Sequence, residues 1–490
     1  MTEFIQIHPN DSVAVALKHV TKGTVFMDVC AAENIHQGHK MALRPISAGE
    51  DIVKYGCVIG HATENIAVGQ WVHTHNMATN LSGGEAYTYS HEAGVCAGKT
   101  DRTFFGFFRP NGKVGIRNEI WILPLVGCVN DVAKALAREN QDLVQGSIDG
   151  LYAYTHPFGC SQTGDDHAQT RKLLAALAKH PNAAAVLILG LGCENLTVEQ
   201  FKMELGEHEA DKFRFLICQQ VEDEMEAGRA LLRECAAYAE NFQRQIMPAS
   251  ELVVGMKCGG SDGLSGITAN PVVGKFSDLL IRNGGSTVLT EVPEMFGAES
   301  ILLNRCADQT VFDRAVDMLN RFKQYYIDHG EQIYENPSPG NRAGGITTLE
   351  DKSCGCIQKG GHGVVTDVIG YGEQVTKKGL TLLSGPGNDL VSATALTAAG
   401  AHLVLFTTGR GTPFGAPAPT MKIASNTTLA EKKSGWIDFN AGVIADGTRS
   451  IPEAAEDLLD LVLDTASGKQ TCSERRGYRE IAIFKDGVVL

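Results

Sequence analysis

The chain has 490 residues, 43 % hydrophobic and 20 % charged, which at roughly 100–200 residues per domain means two or three packed units and excludes a peptide hormone or a lone binding module. Lys and Arg number 43 against 57 Asp and Glu, a net charge of −14. With no basic face and no interleaving of aromatic and basic residues, that balance argues against a nucleic-acid partner but leaves an anionic small molecule open, since a pocket can be locally positive.

No stretch approaches the ~20 apolar residues of a membrane helix. The start, MTEFIQIHPNDS, carries acidic and polar residues where a signal peptide is basic and then apolar, so a cytoplasmic protein is expected. The 13 cysteines, odd in number and without an export signal, read as reduced thiols rather than a disulfide framework. Glycine, at 54 residues, exceeds an average usage of about 7 %, and the surplus sits where apolar runs end.

In chain order, residues 1–81 read as a small β-rich unit of short apolar alternations such as SVAVAL and TVFMDV. Within it Gln70–Asn76 alternates strictly, so as a strand it sets His73 and His75 on one face. Residues 82–104, rich in Gly, Ser and Thr, read as a linker. Residues 105–245 show apolar strands (Trp121–Val126, Leu151–Tyr154, Ala184–Leu189, Phe213–Ile217) alternating with amphipathic helices such as Asp131–Arg138 and Asp166–Ala178, the pattern of a parallel sheet covered on both faces. A break with a proline at Gln245–Ser250 opens a third α/β region, 246–490, with strands at Glu251–Val254, Thr287–Val292, Thr381–Leu383 and His402–Phe406. The expected class is therefore α/β: a small β-rich unit followed by two regions with mainly parallel sheets.

Cysteines recur in phase at Gly127-Cys128, Gly159-Cys160, Gly192-Cys193 and Cys218, each just past a strand, at the edge where open α/β sheets bind ligands. A cysteine there also serves simply as a small, buryable turn residue. Around Cys160, His156 and His167 stand with Asp165 and Asp166, a set able to supply a general base and its orienting carboxylate, although capping the next helix would occupy one of the aspartates. His73 and His75 form a possible metal pincer, two ligands short of a site. The run Lys257-Cys-Gly-Gly-Ser261-Asp262-Gly-Leu-Ser-Gly-Ile-Thr-Ala-Asn270-Pro271 follows a strand and precedes a helix, a loop whose backbone N–H groups can cradle an oxyanion. Hydroxyl, amide and cationic groups at Ser261, Asn270, Lys352, Arg410 and Thr412 suit a polyhydroxylated carboxylate, with Arg410 as the carboxylate fork. Gly190-Leu-Gly192 lacks the third small residue of a dinucleotide fingerprint, and no GK[ST], CxxC pair or HExxH occurs. Cys354-Gly-Cys356 stands too much alone to specify a metal site.

The runs WILPLVGCVN, FGCSQTGDDH, LILGLGCEN, CGGSDGLSGITANP, TVLTEVPEMFGAE and LFTTGRGTPFG, with VHTHN near the start, resemble the long signatures of the altronate/galactarate dehydratase family from end to end, the N-terminal unit resembling its SAF-type domain. The resemblance implies a hydro-lyase that converts D-altronate to 2-dehydro-3-deoxy-D-gluconate and water in hexuronate catabolism, supported by iron(II), or manganese in some members. Dehydration of a related acid such as galactarate and non-catalytic binding of a sugar acid are the alternatives. On that basis His73 and His75 are the first-choice metal ligands, with Cys160, Cys193, Cys258 and Glu291 as completing candidates. His156 or His167 is base or acid, Asp262 and Lys352 are the competing proton-transfer groups, and Arg410, Asn270, Ser261 and Thr412 bind substrate. An iron–sulfur cluster on three cysteines is the alternative cofactor, and a homodimer is expected.

Overall fold

A computed structural model describes residues 3–81 and 87–488. The N-terminal unit is wholly β, as its alternations require. One antiparallel sheet joins Phe4–Ile5, Val13–Ala16, Lys40–Ala42 and Trp71–Val72, and another Asp51–Lys54, Cys57–Ala62 and Met77–Ala78. The expected strand through Gln70–Asn76 stops at Val72. Asn76 Oδ1 accepts from His73 N at 2.9 Å and Asn76 N donates to His73 O at 3.0 Å, closing a turn that buries His73 and leaves His75 exposed. A side-chain amide thus outcompetes strand alternation.

Of the segment expected to be a linker, residues 82–86 lie outside the described residues. The remainder of it is laid on the third region: Tyr89 Oη donates to Cys306 O at 2.6 Å and Val95 bridges Gly363. Its last two residues already belong to Thr103–Phe108, a strand that pairs antiparallel with Arg244–Pro248 and Val114–Gly115. The proline-marked break at 245–250 is therefore largely strand, with Pro248 at its end.

The second region is a four-stranded parallel sheet in the order Gly150–Ala153, Glu119–Pro124, Ala183–Gly190, Phe213–Ile217. Helices Asn130–Glu139, Gly164–Ala178 and Glu224–Ala239 cover it. All eight residues of Ala183–Gly190 are buried, as a central parallel strand requires.

The third region holds a seven-stranded parallel sheet of β1 (Val253–Cys258), β2 (Ser286–Leu289), β3 (Val365–Ile369), β4 (Gly379–Leu383), β5 (Leu403–Thr408), β6 (Thr420–Ala424) and β7 (Phe439–Asn440). Their order is β3-β4-β2-β1-β5-β6-β7. The apolar pattern places the first strand at Glu251–Val254; instead Ala249–Glu251 is a single 3-10 turn and the strand runs on to Cys258. Lys257 makes that stretch look unlike a core strand, yet its ammonium is neutralised by Glu291 and Asp389 and is wholly buried. No helix among the described residues is long and apolar enough to cross a membrane.

Candidate active site

The chain leaves β1 on one side through β2, β3 and β4, then returns to the other side of β1 through β5. The carboxyl ends of β1 and β5 therefore flank a topological switch point, the crevice where open α/β sheets bind ligands. Two helices bear on it, α1 (Ala269–Arg282) and α2 (Leu349–Cys356), the latter buried along its whole length.

Charge is concentrated at this crevice. Lys257 Nζ lies 2.9 Å from Glu291 Oε1 and 2.7 Å from Asp389 Oδ1, and Cys258 N donates to Glu291 Oε2 at 2.9 Å. Glu291 has φ +67, a left-handed conformation that a non-glycine residue holds at a cost; its two carboxylate bonds into β1 hold it there. Lys359 stands 3.6 Å from the same carboxylate.

One turn on, Glu294 Oε2 accepts from Cys258 Sγ at 2.9 Å, and Cys258 Sγ lies 3.4 Å from Cys356 Sγ at the end of α2. The other oxygen of Glu294 pairs with Lys352 Nζ at 2.8 Å, and Lys352 also donates to Asn336 Oδ1 at 3.0 Å. Burial alone would raise the Glu294 carboxyl, but Lys352 and Lys359 bring it down to about 2. Burial likewise opposes the Lys352 charge, yet Glu294 and the two thiols outweigh it and hold the ammonium protonated well above its ordinary range. The hydrogen bond from Cys258 and burial push the Cys356 thiol up.

Among the described residues, Cys258, Glu294 and Cys356 are the trio of metal-ligating side chains whose donor atoms all lie within 4.8 Å of one another. Three cations (Lys257, Lys352, Lys359) already balance three carboxylates (Glu291, Glu294, Asp389). A divalent ion that displaces the two thiol protons therefore leaves the pocket neutral. Two thiolates and one carboxylate suit iron(II) better than the harder manganese ion, so these residues fit a bound ferrous ion.

The β-rich unit clamps α2 from outside. Lys40 and Lys54, both buried, hold the two oxygens of Asp351 at 2.8 and 3.0 Å. Lys40 also donates to Gly345 O and Thr347 Oγ1, while Thr79 Oγ1 and Asn80 N donate to Glu350. The approach is backbone to backbone: a Cβ on Gly263 would lie 2.0 Å from Gly38 O, and one on Gly345 2.3 Å from the same atom. Because Asp351 precedes Lys352, this unit positions the ammonium beside Glu294. The two lysines hold the Asp351 carboxyl charged well below the ordinary carboxylate range, although burial opposes them. A depressed carboxyl contributes stability above its unfolded value and loses it as pH falls. We expect thermal stability to drain below about pH 4, and less steeply in Asp351→Asn, in melts recorded across that window.

Of the residues singled out from sequence, the structure brings together Cys258, Glu291 and Lys352 and sets Ser261, Asp262, Asn270 and Arg410 on the surrounding loops. Ser261 Oγ is buried and has no hydrogen-bond partner. Asp262 accepts from Ser265 N, Ser265 Oγ, Ser425 Oγ and Asn426 Nδ2, which makes it a brace between β1 and β6. Asn270 is likewise committed, donating to Gly355 O and accepting from Thr407 Oγ1. Arg410 is exposed and donates to Gly340 O at 2.6 Å, and Thr412 is half-buried in the loop after it. His73 stacks on Trp71 and bonds Thr347 Oγ1 at 3.0 Å; burial and Lys40 lower it to about 3, so it is neutral. His75 is exposed, its ring tilted against Trp71 at 5.1 Å between centroids. His156, His167, Cys160 and Cys193 belong to the edge of the second sheet. His156 has both ring nitrogens engaged by backbone, at Pro124 O and Phe158 N, and burial lowers it to about 4.

Glu294 and Lys359 were not singled out, and Cys356, set aside in the sequence as standing too much alone, proves to be one of the trio. Glu294 lies in the same TEVPE run as Glu291, and only the 3-10 turn Val292–Met295 shows that the second carboxylate faces the thiol. Cys356 lies 98 residues from Cys258, a separation no spacing rule spans.

Comparison with known proteins bears directly on this arrangement. Family models describe residues 2–80 as "Altronate/galactarate dehydratase SAF domain", 106–240 as "D-galactarate dehydratase/Altronate hydrolase, second domain" and 249–489 as "D-galactarate/Altronate dehydratase, C-terminal". The chain belongs to the altronate/galactarate dehydratase family. It is 51 % identical to altronate dehydratase of Escherichia coli (strain K12) and 50 % to that of Bacillus subtilis (strain 168), over 100 % of both chains in each case. To galactarate dehydratase (L-threo-forming) of Escherichia coli it is 33 % identical, over 99 % of this chain and 97 % of the relative. The part matching the family's C-terminal model carries the whole thiol–carboxylate–lysine cluster, and the part matching its SAF model supplies the lysines that clamp it.

Proposed function

We propose that this dehydratase-family chain eliminates water from D-altronate to give 2-dehydro-3-deoxy-D-gluconate. The observation that carries the reading is the full-length identity of 51 % and 50 % to altronate dehydratases, against 33 % to a galactarate dehydratase. The crevice at β1 and β5 supplies the chemistry.

Elimination needs a base at C2, an acid at the departing 3-hydroxyl, and stabilisation of the charge that develops on the carboxylate. Iron(II) on Cys258, Glu294 and Cys356 supplies, when bound, a Lewis acid beside that carboxylate. The C2 proton passes to a basic group of the crevice, and Lys352, kept protonated by Glu294, hands a proton to the leaving 3-hydroxyl, so that the substrate loses one water in all. Ser261 Oγ, buried and unpartnered, binds a substrate hydroxyl, and Arg410 at the rim takes the sugar-acid carboxylate.

An anaerobic assay of hexonates and hexarates with iron(II), following the 2-keto-3-deoxy product, tests the substrate: turnover of altronate above the others is expected, and turnover of galactarate alone overturns the reading. The double variant Cys258→Ala, Cys356→Ala is expected to lose about one iron per chain and more than about 100-fold in kcat, since even outer-shell partners of metals cost about 10–100-fold. The double variant His73→Ala, His75→Ala is expected to keep that iron; its loss would return the metal to the histidines.

A further inference from the structure

The three exposed cysteines of the second region are not absorbed by the site above. Cys160, Cys128 and Cys193 come after three neighbouring strands, Gly150–Ala153, Glu119–Pro124 and Ala183–Gly190, at one carboxyl edge. Neighbouring strands stand about 4.8 Å apart, so the turns that carry the three thiols leave the sheet side by side.

The turns that carry them are tied to one another. Gly127 N donates to Phe158 O at 2.9 Å, Ser161 N to Asn195 Oδ1 at 2.8 Å, and Leu196 N to Gly159 O at 3.0 Å. Two of these turns use left-handed backbone, at Gly159 (φ +97) and Ser161 (φ +57) around Cys160 and at Gly192 (φ +124) before Cys193. Ser161 is the costly one, because a side chain rarely adopts that conformation.

A second, independent feature points to a ligand. Gln162 is 3 % exposed; its Oε1 accepts from Gly159 N, and its Nε2 is buried with no partner. Asn130, two residues past Cys128, donates to His156 O and keeps a buried, unpartnered Oδ1, and His167 Nε2 is in the same condition. Buried polar atoms left empty are rare and call for an occupant. Gln219 Nε2 already donates to Cys193 Sγ at 3.6 Å, the kind of N–H···S contact that stabilises ligated sulfur.

We propose that Cys128, Cys160 and Cys193 hold an iron–sulfur cluster, with the iron that lacks a protein thiolate open to water or a small oxygen ligand. The alternative occupant, one thiophilic ion, needs its ligand atoms crowded together. Among the described residues the trio with donor atoms within 4.8 Å of one another is the Cys258 cluster and not these thiols, so the second-region cysteines do not meet the crowding that a single ion needs. Ligation replaces three S–H bonds by three Fe–S bonds and releases three protons. The site stands apart from the ferrous centre proposed on the third sheet, and each can fail without the other.

The test is iron and acid-labile sulfide analysis, with visible absorption and EPR, on full-length chain purified anaerobically and reconstituted with iron and sulfide. About four irons and four sulfides per chain are expected beyond the ferrous ion. The triple variant Cys128→Ser, Cys160→Ser, Cys193→Ser is expected to lose the sulfide and the visible absorption while keeping about one iron and the wild-type circular dichroism. Single Gln162→Ala is expected to retain the cluster but shift its EPR signal or speed its loss in air. Absence of sulfide from the reconstituted wild type, zinc in its place, or sulfide that persists in the triple variant and vanishes with Cys258→Ala, Cys356→Ala, would each overturn the proposal.

Discussion

Lys352→Met lowers kcat by about 100- to 10,000-fold, the range associated with removing a positioned general acid. The ammonium is 7 % exposed and sits 2.8 Å from Glu294, which keeps it charged across the physiological range. An interaction made only in the transition state lowers kcat and kcat/KM together, so KM for altronate should change little. Methionine also leaves Glu294 short of one cation, and a loss of stability would blur the result. Lys352→Arg separates the two effects, because a guanidinium preserves the charge of the ion pair but, as a rigid planar fork, does not set an N–H where the compact ammonium stood. The expected pattern is wild-type melting with low kcat for the arginine variant. Near-wild-type turnover in Lys352→Arg would reduce the residue to an electrostatic partner of Glu294.

Asp351→Ala is expected to cost about 3–5 kcal/mol, the penalty for leaving buried charge uncompensated. Its carboxylate is the shared counter-ion of Lys40 and Lys54, and all three side chains are at most 1 % exposed. The damage falls at the seam between the SAF domain and α2, so activity drops with stability, since α2 carries both Lys352 and Cys356. Denaturant unfolding with metal content measured in parallel would show both. Replacing all three residues with apolar side chains of similar volume should recover much of the stability. If Asp351→Ala unfolds at the wild-type midpoint, the lysines do not clamp α2.

The family and the class of fold were legible because they rest on local signals. Continuous apolar runs such as Ala184–Leu189, ending in Gly-Cys and leading into amphipathic helices, specify parallel strands and their carboxyl edges with no knowledge of neighbours. Long motifs such as CGGSDGLSGITANP and TEVPE mark loops at those edges, and Cys258, Ser261 and Glu291 all lie in such runs. Where a local rule misled, a tertiary partner had outweighed it. Asn76 turned the HTH run out of its strand, and two carboxylates made Lys257 acceptable inside one.

The sequence by itself thus determined the family, the α/β class, the order of units and which loops carry chemistry, because motif, periodicity and turn chemistry are properties of contiguous residues. Only the tertiary structure decided that Cys356 meets Cys258 across 98 residues, that Glu294 rather than Glu291 faces both thiols and Lys352, and that Lys40 and Lys54 hold Asp351. Those partners are assembled by the order of strands in a sheet and the docking of one domain on another, and neither is encoded in any local stretch of the chain.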